Sequence, residues 1–214
     1  MLGFSPLLSS VPAPAQTSLF GKTEVTQANY VAVAAPIGTG AKHQLLLIEQ
    51  INNSRPCWSE SGSNPTLIDP LLSTFNFSGI CGRSTDANGY SIRTNDVDLG
   101  LKYSLAVVRQ NGDMVLIGRP QQRTDPSLEI GRVLGETNGF AKINLNAGWR
   151  FTRRTFDGKT LGHVYLTNDQ SLASLAGQTP MPAPTPTPRS DPTPAPTPTP
   201  ARPDPHQRQH RTPR

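Results

Sequence analysis

The sequence predicts a mainly β fold: a single-domain antiparallel β sandwich or partly open barrel with at most one or two short helices, followed by a disordered, proline-rich C-terminal tail. Three observations predict it. Short runs of β-branched and apolar residues recur through the first 170 positions. Between them stand Asn-Gly, Asp-Gly and Ser/Asn/Pro clusters that turn a chain back on itself. Last, 13 of the 22 prolines fall between Pro180 and Arg214. Proline at more than one position in three removes backbone donors and fixes φ, so that stretch forms neither helix nor sheet ladder. The chain of 214 residues divides accordingly into 1–15, a truncated signal-peptide-like segment, 16–170, one β domain large enough to bury a core, and 171–214, a basic tail.

The elements follow in order. Tyr30 to Ala34 is a short strand, Pro36 to Gly40 turns, and Gln44 to Ile51 is a strand whose apolar residues are too continuous for a half-exposed surface. The good helix formers in Lys42 to Ile51 leave a helix open as the alternative. Asn52 to Asn64 is aperiodic and dense in turn formers, a long loop pinned by Cys57. A short helix is expected near Pro65 to Thr74 and another near Asp125 to Ile130. Thr85 to Gly89 is a turn. Leu101 to Arg109 and Met114 to Gly118 flank Asn111-Gly112 as a hairpin. A second hairpin runs from Gly139 to Leu145 through Asn146 to Gly148 into Trp149 to Phe156. Asp157-Gly158 turns once more, and Leu161 to Leu166 closes the domain. From Thr179 the alternation of Pro with Thr or Ala favours polyproline II, a spacer that over 35 residues spans on the order of 100 Å.

Charge separates along the same boundary. The formal net charge is +5, but Arg189, Arg202, Arg208, Arg211 and Arg214 against Asp191 and Asp204 put +3 of it in the tail. A domain left at +2 has no basic stripe for nucleic acid. Tail arginines instead tether a chain to an anionic surface or keep it soluble. No apolar run approaches the ~20 residues of a membrane helix, so the mature chain is expected to lack a transmembrane span. Ala13-Pro14-Ala15 has the form a signal peptidase accepts, yet no basic segment precedes the short apolar stretch Leu2 to Leu8. The expectation is a start placed too late, on an exported protein.

Cys57 and Cys81 lie in polar, Gly/Ser/Asn-rich surroundings. In an exported chain such a pair reads as a disulfide, in a cytosolic one as two free thiols. A zinc site lacks histidines at ligand spacing. Cys57-Trp58, with His163 and Asn168 downstream, has the order of a papain-like protease, but Pro65 and its Ser/Gly/Asn neighbours cannot form the helix that lowers a catalytic thiol's pKa. Ser59 and Ser61 lack the Gly-x-Ser-x-Gly elbow. Asp86 to Gly89 and Asn95 to Asp98 carry oxygens without the calcium-loop register, so no metal and no cofactor is predicted. In Trp149 to Arg154, Trp149, Phe151 and Arg153 share one face of a strand, and Arg150, Thr152 and Arg154 the other. Trp58, Trp149, Arg150 and Arg154 are thereby the binding candidates, since aromatic and guanidinium groups hold sugars and carboxylates. For a hydrolase, the available acids are Glu60, Asp69 and Asp86.

Four stretches, FGKTEVTQANYVAVAAP from Phe20, LLLIEQINNSRPCWSESGSNPTLIDPLL from Leu45, FSGICGRSTDANGYSIR from Phe77 and GWRFTRRTFDGKTLGHVYLTND from Gly148, resemble a family of exported cyanobacterial proteins known only as a domain of unknown function. The resemblance spans Phe20 to about Asp169. It implies export in a cyanobacterium and makes Cys57 and Cys81 family positions, but it supplies no activity. The expected function is an exported, periplasmic or outer-envelope domain that binds a cell-wall polymer or envelope protein, without nucleic acid. The alternative is a hydrolase of peptidoglycan or polysaccharide.

Overall fold

Fourteen strands carry the fold among the described residues, 19–177 of a computed structural model. The first half of the chain forms β1 (Gly21–Glu24), β2 (Tyr30–Ile37), β3 (Lys42–Gln50), β4 (Trp58–Ser61), β5 (Leu67–Pro70), β6 (Cys81–Ser84), β7 (Tyr90–Thr94) and β8 (Val97–Asp98). The second forms β9 (Tyr103–Gln110), β10 (Asp113–Pro120), β11 (Leu128–Arg132), β12 (Ala141–Leu145), β13 (Arg150–Phe156) and β14 (Lys159–Asn168), then helix α1 (Leu172–Ala176). A curled sheet runs in the order β6-β3-β2-β12-β11-β10-β9, with β5 and β4 attached at β12. A five-stranded sheet runs β1-β13-β14-β7-β8. The architecture is therefore the expected mainly β one, with one pair outside the antiparallel pattern: β14 and β7 are parallel, Val164 beside Tyr90 through Asn168 beside Thr94.

The apolar continuity of β2 and β3 has a direct cause. Tyr30, Ala32, Ala34, Leu45 and Leu47 point into a core shared with the five-stranded sheet, where Tyr90, Ile92, Phe151, Val164 and Leu166 meet them. The alternate residues Val31, Val33, Ala35, Leu46 and Ile48 point the other way, into a second core under the disulfide segment. A strand buried on both faces reads as an unbroken apolar run, and side chains parted between two cores with period two exclude the helix alternative at Lys42 to Ile51. Cys57 and Cys81 are joined by a disulfide, both inside the second core with Ile68 and Leu72.

Three hairpin turns, at Asn95-Asp96, Asn111-Gly112 and Asp157-Gly158, place both central residues at positive φ. Those are the primed turns whose twist matches paired strands, which is why Asn, Asp and Gly occupy them. The predicted turn at Thr85 to Gly89 is present, closed by the Gly89 amide on the Asp86 carbonyl.

Several local expectations are corrected. Instead of a helix over Pro65 to Thr74, Leu67–Pro70 is strand β5 paired with β4, leaving one 3₁₀ turn at Leu71–Ser73. The loop Asn52 to Asn64 accordingly contains β4. Near Asp125 to Ile130, the alternating buried Leu128 and Ile130 make strand β11 rather than a helix. The passage at Asn146 to Gly148 is a crossing between sheets, because β12 pairs in the curled sheet and β13 in the other. Residues 171–177, assigned to the tail, hold α1, capped by the Ser171 hydroxyl accepting from the Ser174 amide at 3.2 Å and packed on the first core through Leu172 and Leu175. The signal-like segment 1–15 and the proline-rich stretch lie outside the described residues.

Candidate functional site

β9 ends the curled sheet, and its ladder is with β10 alone. Half of its backbone N–H and C=O groups therefore face away from the sheet. β3 pairs with β6 only through Leu47–Gln50, so Lys42 to Leu46 also has an unladdered second edge. The curl brings β9 against β3 with no ladder between them. Here a cleft of about 770 Å³ opens, its walls including Leu45, Tyr90, Tyr103, Leu105, Val107 and Met114. A volume of this order suits a small ligand or a short chain segment.

Lys42 and Arg119 are exposed at the cleft and have no ion pair among the described residues, whereas Asp86 is its acidic wall residue. Arg109 is spent on structure. It pairs with Glu136 at 2.7 Å and donates to the carbonyls of Gly40 and Thr137 and to Asn138 Oδ1. These bonds tie the end of β9 to the β2–β3 turn, where Gly40 has φ +82° and an added Cβ would sit 2.3 Å from the Asn138 carbonyl oxygen. Only glycine fits so close an approach.

A polar network covers the outer face of the five-stranded sheet and reaches the cleft at Ser91. His163 Nδ1 lies 2.9 Å from the Asn88 carbonyl, which can only accept, so Nδ1 carries the proton and Nε2 accepts from the Ser91 hydroxyl at 2.8 Å. Burial holds the His163 pKa below its ordinary value, and the nearby Arg154 charge acts in the same direction. The imidazole is therefore neutral at pH 7. Asp98 accepts from Arg154 Nη2 at 2.7 Å, Tyr165 Oη at 2.8 Å and the Gly100 amide at 2.9 Å. Burial, and then the bond to Asp98, push the Tyr165 phenol up to about 12. On the opposite face Arg153 pairs with Glu49 and donates to Tyr30 Oη at 3.0 Å, an inner counterpart of the same design. A second cleft of about 690 Å³ lies beside the disulfide segment, between Leu46, Ile68, Leu72, Phe77 and Phe140, with Asp69 and Arg83 in its wall.

Residues 2–171 match a family model described as "Protein of unknown function (DUF3747)". The chain belongs to the DUF3747 family. No curated protein and no solved structure matches it. The DUF3747 match begins ahead of Phe20 and stops before the first proline of the tail.

Within this DUF3747 domain the sequence-derived candidates fall in separate places. Trp149 is 8% exposed and packs in the first core. Arg150 is held by Glu24 at 2.8 Å and Asp169 at 3.0 Å, and Arg154 by Asp98. The expected faces of β13 are correct, but the outer one is a row of paired guanidiniums rather than an open basic strip. Trp58 is half-buried, its indole N–H donating to Glu60, which also accepts from Lys142. None of these four lines either large cleft. Asp69 and Asp86 line different clefts and Glu60 neither, so the three acids do not converge. The disulfide consumes the Cys57 thiol that a papain-like mechanism requires. Ser91, Lys42, Arg119 and the edge of β9 escaped sequence reading. Ser91 and His163 meet only because β7 and β14 pair, bringing together residues 72 positions apart.

Proposed function

We propose that this DUF3747 chain is an exported domain of a cyanobacterial cell envelope that holds an envelope ligand or partner in the β3–β9 cleft, with the proline-rich tail as its spacer. The observation that carries the reading is the cleft itself. It joins two unladdered strand edges to Lys42 and Arg119, cations with no ion pair among the described residues, on a domain whose other cleft-side arginine, Arg109, is neutralised internally. The disulfide supports export, because such bonds persist in oxidising compartments. The test is retention of the full chain on purified wall sacculi at low salt, compared with a Lys42→Glu/Arg119→Glu variant. Retention lost in the variant supports the reading, and no retention of either chain refutes it.

A second reading, hydrolysis in the same cleft, is favoured by one observation: the Ser91 hydroxyl is bonded to a neutral His163 whose other nitrogen is fixed by a backbone carbonyl. It expects soluble fragments from sacculi with the wild type and none with Ser91→Ala. Intact sacculi with the wild type would remove it.

A further inference from the structure

Edge strands are normally blunted by proline, bulges, inward charges or short length. β9 has none of these between Ser104 and Val108, which read Ser-Leu-Ala-Val-Val. Its register with β10 runs unbroken from Gln110 beside Asp113 to Tyr103 beside Pro120. The open side of this regular strand forms a wall of the cleft. We propose that an extended, acidic polypeptide segment of an envelope partner adds to β9 as a further strand, an inference that rests on the cleft being the binding site.

The chemistry selects this occupant. Main-chain groups spaced at the repeat of a strand are complementary to another strand, whatever its side chains, and flanking residues then set preference. Those flanks are cationic at both ends. Arg119 stands beside Ser104 at the start of β9. Lys42 lies next to the β2–β3 turn that Arg109 grips at the other end. Neither has an ion pair among the described residues, so carboxylates on the incoming strand find unoccupied partners. The chain's own tail is unsuited, with a proline at every second position from Pro180 to Pro188 and a surplus of arginines. A second copy pairing antiparallel through β9 sets the Arg119 end of each edge beside the Lys42 end of the other, cation against cation.

The test uses the full chain and a fluorescein-labelled twelve-residue peptide of alternating Val and Glu, followed by anisotropy at low salt. Two control peptides carry N-methyl groups on alternate amides, one in each register, and a third has Lys in place of Glu. The expected result is binding of the Val/Glu peptide, loss of binding on methylation in one register only, and no binding of the Val/Lys peptide. Lys42→Glu/Arg119→Glu should weaken binding by about tenfold, since two exposed charge contacts are removed. A thermal melt confirms that this variant, altered only at exposed positions, stays folded. Equal binding of both methylated peptides overturns strand addition, as does a light-scattering mass showing that the cleft is closed by a second copy. Retention on sacculi without binding of any peptide overturns strand addition while leaving the cleft reading intact. Failure of both assays removes the two together.

Discussion

Replacing Cys57 and Cys81 by alanine tests the two-core description quantitatively. The bond closes a loop with a sequence separation of 24. Loop-closure entropy for a ring of that size gives about 3.5 kcal/mol. Both sulfurs sit in the second core, Cys57 at 0% and Cys81 at 4% exposure, so alanine also leaves under-filled space there. A total of about 4 kcal/mol lowers Tm by about 10 °C in a domain of this length. The assay is differential scanning calorimetry of the full chain, wild type against the double variant. Amide hydrogen exchange adds the location: protection should fall in Trp58 to Ile80, while β10, β11 and β14 keep theirs. A Tm shift under about 2 °C, or a loss spread evenly over both cores, would mean that the disulfide does not hold a separate second core.

Three further outcomes are expected. Glu49→Ala leaves the half-buried Arg153 without its carboxylate and should cost about 3 kcal/mol by urea unfolding, far more than Glu24→Ala at the exposed Arg150 pair. Tyr30, Tyr90 and Tyr165 are each pushed up to about 12, primarily by burial, so absorbance at about 295 nm should show little tyrosinate in the native chain at pH 10. Because the unfolded chain releases those protons first, stability should fall as pH rises above 10. For His163 the sign is opposite. Its folded pKa is depressed, so stability is lost as pH falls below 6.5, and His163→Gln should flatten that limb in pH-dependent melts.

Much of the fold was legible because its cause is local. Short β-branched or unbroken apolar runs marked β2 and β3, alternation marked β9, β12 and β13, and Asn-Gly and Asp-Gly fixed two of the turns through positive φ. What stayed hidden depends on partners distant in the chain. Leu67–Pro70 is a strand because Trp58–Ser61 pairs with it, not because of its own propensity. Trp149 looked like a recognition platform from its neighbours, and it is core because β13 joins the five-stranded sheet instead of folding back on β12. The arginines of β13 looked free because Glu24, Glu49 and Asp98 come from β1, β3 and β8. The site suffered most. That LKYSLAVVR is a strand is written in its alternation, but that it is an edge, facing the unladdered edge of β3 at Lys42 to Leu46, exists only in the sheet order.

Hydrogen exchange of the full chain with and without purified wall sacculi shows whether a ligand sits in the β3–β9 cleft. Bound ligand should slow exchange in Lys42 to Leu45 and Ser104 to Val108, where backbone groups are unladdered in the free protein. Protection confined to Ile68 through Phe77 at the disulfide-side cleft, or no change anywhere, would contradict it.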